Sequence, residues 1–166
     1  MKKDYKEWHD GVSGRFTDHE KTVNLLNKVL TYSAYVGYPL ILAWFWLTKR
    51  PPIYEMAKLV LIPAVSFRIL TAVRDKIDRP RPYETHDITQ IIKKDKKGHS
   101  FPSRHCFSMA CISMVFMYVN RGLGRLFILF TAVLAALRVI GGVHYPSDVA
   151  TGCAVGFLCG ALIFIL

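Results

Sequence analysis

Apolar and polar positions are sharply segregated along this 166-residue chain. Val29–Thr48 carries no charge and closes with Trp44 and Trp46, followed at once by Lys49 and Arg50. A hydrocarbon core of about 30 Å takes around 20 residues of helix, so this run predicts a spanning helix ending in an aromatic belt and a basic anchor. Val149–Leu166 is likewise uncharged and long enough to cross, and His105–Asn120 is uncharged but short, which predicts a start slightly upstream. Two more apolar runs contain charges: Ile53–Val73 holds Glu55, Lys58 and Arg68, and Leu126–Val143 holds Arg138. Glu55 and Lys58 can reach an interface from a helix end. Arg68 and Arg138 lie deeper, and an ionisable residue inside a span points to function.

The pattern predicts an all-α integral membrane protein with one domain over 1–166. Its five transmembrane helices fall at 29–48, 53–73, 103–120, 124–143 and 148–166. Segment 1–28 is polar with scattered Tyr5, Trp8, Phe16, Leu25 and Leu26, the pattern of an interfacial helix or loop. The longest connection is 74–102; Arg74–Arg104 holds nine Lys or Arg against five Asp or Glu. Connections of that length are commonly functional or disordered.

Composition narrows the classes. The chain is 52% hydrophobic with a formal net charge of +10. A basic balance alone suits nucleic acid, but the apolar runs are too long for that partner, and the bilayer takes its place. Cys106, Cys111, Cys153 and Cys159 lie inside apolar stretches without CxxC spacing, so they read as small buried hydrophobes. The charged N-terminus shows no cleavable signal peptide.

Three patches carry chemistry, and five helices bring all three to one membrane face. In the first, Arg74–Pro82, Arg74 and Arg81 are seven residues apart, which on a continuing helix places both on one side. Pro80 and Pro82 then stop it. Guanidinium groups suit phosphate because they donate in pairs and stay charged. In the second, Gly98–His105, Pro102 and Ser103 precede a helix whose free N–H groups favour an anion. Ser103 adds a hydroxyl, Arg104 a charge and His105 a proton donor. The third, Arg138–Asp148, places Arg138 in a span, where an anionic ligand accounts for it. Asp148 falls in the first turn of the last helix, within reach of His144; a carboxylate orienting an imidazole is what a histidine nucleophile or base needs.

In order and spacing, these patches resemble the tripartite motif of the type-2 phosphatidic acid phosphatase superfamily. That superfamily includes lipid phosphate phosphatases, bacterial phosphatidylglycerophosphate and undecaprenyl diphosphate phosphatases, and vanadium haloperoxidases. Lys-x6-Arg-Pro is matched by Arg74 with Arg81-Pro82, Pro-Ser-Gly-His by Pro102-Ser103-Arg104-His105, and Ser-Arg-x5-His-x3-Asp by Leu137-Arg138, His144 and Asp148. The match spans residues 74–148. The departures are Arg for Lys at 74, Arg for Gly at 104 and Leu for Ser at 137. The usual six-helix form has one more N-terminal helix, for which residues 1–28 are too polar.

The resemblance implies hydrolysis of a lipid phosphate or diphosphate through a phosphohistidine on His144. Asp148 would orient His144, and His105 would protonate the leaving oxygen and then activate water. Arg74, Arg81, Ser103 and Arg138 would hold the phosphate, with Arg104 beside it. No metal, no cofactor and no obligate protein partner are implied. A phosphotransferase using the same intermediate, or a non-catalytic lipid-phosphate-binding membrane protein, are the alternatives. Lys49, Arg50, Arg121 and Arg125 mark one face as cytoplasmic. The resemblance favours an extracytoplasmic active site in a bacterial cytoplasmic membrane.

Overall fold

The computed structural model describes residues 2–166, with side chains from Tyr5 onward. Its helices in chain order are α1 (Lys2–Ser13), α2 (Glu20–Lys49), α3 (Ile53–Ile77), the single turn α4 (Pro82–Thr85), α5 (Arg104–Val119), α6 (Arg121–Ile140) and α7 (Pro146–Ala161). Short 3-10 turns cover Gly14–His19 and Leu162–Phe164. Three segments are long and apolar enough to cross a membrane: Ile53–Thr85, Arg121–Ile140 and Pro146–Phe164. α5 is apolar but shorter. α2 has the length, about 45 Å at 1.5 Å per residue, but its tyrosines and hydroxyls make it less apolar.

Outward faces support a lipid setting. α3 buries only Leu59, Leu70 and Arg74, while Val60, Leu61, Val65, Ile69 and Val73 face outward. A soluble monomer rarely leaves so continuous an apolar surface.

α5 is the central helix: Cys106, Phe107, Met109, Ala110, Cys111, Val115 and Phe116 are all buried along it. Against it lies α7, through Gly152, Gly156 and Gly160. A Cβ at Gly152 would fall 2.6 Å from the carbonyl oxygen of Ser103, and one at Gly156 2.5 Å from that of Phe107. At Gly160 it would fall 2.6 Å from Met114 Cβ. Small residues four apart let two backbones approach, which replaces the hydrophobic drive that lipid removes. Across the α5–α6 turn, Gly124 has the same role, since a Cβ there would sit 2.3 Å from Met117 Cα.

Several sequence expectations are corrected in detail. α2 starts at Glu20, well before residue 29, so residues 20–28 belong to the bundle and only α1 and the 3-10 turn precede it. Its first turns present Val23, Asn24, Asn27, Leu30 and Ala34 inward at helical spacing, and the two amides among the apolar positions masked the pattern. α3 runs on to Ile77, so the connection holds the last turn of α3 and α4 before its coil. α6 ends at Ile140 and a turn follows, in place of helix to 143. Arg68, read as a functional candidate, is exposed on α3 and lines no part of the site below.

Candidate active site

The three patches meet at one end of the bundle, around a cavity of ≈ 460 Å³ lined by Arg74, Arg81, Arg104, His105, His144 and the tract Lys93–Lys96.

Arg74 and Arg81 reach it from different elements. α3 stops at Asp78, which adopts φ 40° and caps the helix, so the two arginines do not share a helix face. Arg74 comes from the last turn of α3 and Arg81 from the position preceding α4. Both are 3% exposed and both are anchored to backbone carbonyls. Arg74 Nη1 donates to Pro102 O at 2.8 Å. Arg81 Nε donates to Gly98 O at 3.0 Å and its Nη1 to Val143 O at 3.0 Å. Arg74 thereby ties the first patch to the second, and Arg81 ties it to both the second and the third.

Asp148 is fully buried in the first turn of α7 and accepts from several directions. Tyr145 N–H donates to Oδ2 at 2.9 Å, Ser100 Oγ lies 2.5 Å from the same oxygen, and Arg79 Nη1 donates to Oδ1 at 2.7 Å. His144 Nδ1 stands 3.5 Å from Oδ2, longer than a formed hydrogen bond of about 2.7–3.2 Å. The spacing argument paired His144 with Asp148 directly; the structure places the Ser100 hydroxyl closer to that oxygen, 3.5 Å from His144 Nδ1. With Nδ1 turned to Asp148, Nε2 is the nitrogen left for the cavity that His144 lines. Burial holds the His144 imidazole well below its ordinary range, and the charges of Arg138 and Arg81 add to this against the pull of Asp148. Lowering of this kind favours the neutral imidazole, the form in which a ring nitrogen can attack.

Ser103 and Arg138 do not line the cavity. Ser103 precedes α5 with its Oγ buried and without a hydrogen-bond partner among the described residues, and its N–H donates to Asp148 O at 3.0 Å, joining the starts of α5 and α7. Arg138 is 1% exposed, and its Nη1 donates to Asn27 Oδ1 at 3.3 Å. Its Nε and Nη2 have no partner among the described residues. A buried cation with one weak neutral partner is costly, so an anion within reach of its field accounts for it. Arg104 and His105 form the first turn of α5, half-buried on the cavity wall.

Sequence reasoning missed Arg79, Ser100, Lys94, Asn24 and Asn27. Arg79 and Ser100 lie inside quoted motif stretches, yet nothing local distinguishes them, because their partner is about 70 and 50 residues away. Arg79 also stacks over the Tyr145 ring at 4.2 Å. Lys94 stands in a lysine run that reads as a solvated surface, but the adjacent apolar pair Ile91–Ile92, both buried, was the available signal that this coil returns to the core.

The PAP2 superfamily model matches residues 55–166. The undecaprenyl-diphosphatase BcrC of Bacillus subtilis is 26% identical over 147 residues, covering 88% of this chain and 76% of that protein. A decaprenylphosphoryl-5-phosphoribose phosphatase of Mycobacterium tuberculosis is 31% identical over 100 residues, 60% of this chain and 54% of that one. Among solved structures, LpxE of Aquifex aeolicus superposes with a TM-score of 0.67 at 21% identity, covering 90% of this chain and 94% of its own. A transmembrane PAP2-type phosphatidylglycerolphosphate phosphatase of Bacillus subtilis gives 0.66 at 17%, covering 95% and 90%. With its family match extending over about two thirds of its length and its fold shared with two solved members, the chain belongs to the PAP2 superfamily.

Proposed function

We propose that this protein is a membrane phosphatase that hydrolyses a lipid phosphate or diphosphate without a metal, through a phosphohistidine on His144. One observation carries the reading: His144, backed by Asp148, and His105 face the same cavity as Arg74, Arg81 and Arg104.

In the first half-reaction His144 Nε2 attacks phosphorus, the P–N bond forms and the P–O bond to the leaving group breaks. His105 gives that oxygen its proton. Asp148 steadies the positive charge that the imidazole acquires, while Ser100, Arg79 and the Tyr145 N–H hold the carboxylate in place. In the second half-reaction water attacks phosphorus, the P–N bond breaks, and His105 takes the water proton. Inorganic phosphate leaves and His144 is restored. Charge spreads over the equatorial oxygens in such transfers, and Arg74, Arg81 and the field of Arg138 meet it. Fixed cations aimed at developing charge are the largest catalytic contribution in most enzymes of this kind.

The whole chain acts as one domain. α2, α3, α5, α6 and α7 cross the bilayer, with α1 lying at the interface beside the site. Lys49, Arg50, Arg121 and Arg125 stand at the opposite face; the catalytic face is more basic still, which phosphate binding accounts for in part, and the family resemblance favours a site that opens outside the cytoplasm of a bacterium.

The test is phosphate release from a panel of lipid mono- and diphosphates in detergent, comparing the protein with His144→Ala. The variant should purify as a monodisperse, folded protein and release no phosphate above background. Near-wild-type turnover in it would overturn the mechanism.

A further inference from the structure

We propose that Lys94 and Arg104 form a second anion subsite in the catalytic cavity, which holds the phosphate adjoining the lipid chain when the substrate is a diphosphate. This rests on the phosphatase reading above and adds to it a substrate class.

The cations on the cavity wall fall into two sets. Arg74 and Arg81 are pinned by backbone carbonyls, positioned before any substrate arrives. Lys93 pairs with Glu20 at 3.5 Å, and Lys96 is exposed. Lys94 and Arg104 remain: both are half-buried, both line the cavity, and among the described residues neither side chain has a hydrogen bond or an ion pair. A phosphate monoester dianion is already matched by the pinned Arg74 and Arg81. Two more desolvated, unpaired cations suit a ligand of higher negative charge.

Lys94 is placed by structure built for the purpose. The coil from Thr89 to Lys97 crosses the site as a strap. Ile91 and Ile92 are 2% and 4% exposed in the core that includes Leu134 and Leu137. Asn24 Nδ2 donates to Ile91 O at 2.9 Å and Ile92 N–H to Gly141 O at 3.2 Å. Gln90 Oε1 receives the Lys94 N–H at 3.1 Å, and Tyr83 hydroxyl donates to Lys96 O. A strap pinned on both sides of Lys94 turns that ammonium into the cavity. Its pKa is pulled down to about 7 by burial and by Arg138, Arg81, Arg74 and Lys96, the mark of a cation waiting for a counter-ion.

Arg104 fixes which phosphate is held. A second, largely apolar cavity of ≈ 240 Å³ lies between α2, α3, α5 and α6, lined by Tyr35, Phe67, Met109, Ile112 and Leu134 among others. It shares Arg104 and His105, and no other residue, with the catalytic cavity. If His105 protonates the departing oxygen, the leaving group sits at that junction with its chain toward the apolar side. In a diphosphate the leaving group is itself a phosphate, and Arg104 stands beside it.

The experiment compares farnesyl diphosphate with farnesyl monophosphate, which share a chain and differ by one phosphate. It uses full-length protein in detergent and the variants Lys94→Met, Arg104→Gly and, as a charge control on the exposed coil, Lys97→Met. Lys94→Met and Arg104→Gly should each lower kcat/KM for the diphosphate by about tenfold or more, as expected on losing a charge-assisted contact. The monophosphate should change less than about threefold, and Lys97→Met should match wild type on both. Equal losses on the two substrates, or none on either, would overturn the subsite while leaving the phosphatase reading intact. Binding of the non-hydrolysable farnesyl methylene-diphosphonate, measured by calorimetry, separates the two ideas. About tenfold weaker binding in both variants upholds the subsite even without turnover, and unchanged binding sinks it.

Discussion

The hydroxyl of Ser100 lies 2.5 Å from Oδ2 of Asp148, inside the distance at which His144 Nδ1 approaches the same oxygen. The carboxylate is thus held by a residue from the strap-bearing connection as well as by its own helix turn. A hydrogen bond to a charged group contributes about 1.5–3 kcal/mol. Ser100→Ala should therefore lower kcat about tenfold with little change in KM, because the interaction steadies charge formed only during transfer. Steady-state kinetics on the best lipid substrate decide it; a pure KM effect would move Ser100 from the catalytic array to substrate binding.

Lys94 gives the enzyme a titration of its own. Burial, with the charges of Arg138, Arg81 and Arg74, pulls its pKa down to about 7, so its charge should be lost as pH rises through that value. The groups facing it are Arg74, Arg81 and Arg138, the wall residues Arg104, His105 and His144, and its neighbours Lys93, Asp95 and Lys96. For a diphosphate, kcat/KM should fall as pH rises through about 7 to 8.5, since that parameter reports the free enzyme. Lys94→Arg, charged throughout, should flatten this limb. An unchanged profile in Lys94→Arg would assign the limb to another group.

In the proposed mechanism positive charge at the phosphate comes from guanidinium groups, so activity should persist in excess EDTA, and vanadate should inhibit by imitating five-coordinate phosphorus. A loss with EDTA that magnesium restores would contradict the assignment.

Under the proposed five-crossing topology, residues 97 and 121 lie on opposite sides of the membrane. With the native cysteines replaced, Lys97→Cys should react with an impermeant maleimide in intact cells and Arg121→Cys only after lysis. Labelling of both from one side would mean that a crossing has been miscounted.

Much of the fold was legible in the sequence because membrane solvent imposes a simple rule: long uncharged runs become helices. α5, Arg104–Val119, follows that rule closely, whereas α3 runs four residues past its expected end and α6 stops three short of its own. α2 was misjudged at its start because Asn24 and Asn27 look solvent-facing when counted by polarity, whereas each satisfies a specific partner, Ile91 O and Arg138. Arg68 and Arg138 look alike in a hydropathy plot; only packing shows that one faces outward and the other is enclosed. The pairing of Asp148 with Arg79 and Ser100 depends on how the chain returns through the 74–102 connection, a coil whose path no periodicity encodes.

Gly156 offers a direct probe of the helix contact beneath the site. A leucine there must displace the Phe107 carbonyl region, and overpacking of this kind costs about 1–3 kcal/mol. Gly156→Leu should lower the unfolding temperature in detergent and depress kcat in parallel, whereas Gly11→Ala, at an open position on α1, should do neither.

The glycine seam between α5 and α7 works as a gauge block for the chemistry. It begins at Gly152, one helical turn beyond Asp148, and abuts the carbonyl of Ser103, two residues before His105. The Ser103 N–H to Asp148 O bond closes it at the top. The separation between His105 and His144 is therefore set by backbone contact between α5 and α7, which no loop adjusts. A change in the strap or in α1 can therefore alter what the cavity holds without altering the spacing of the two histidines.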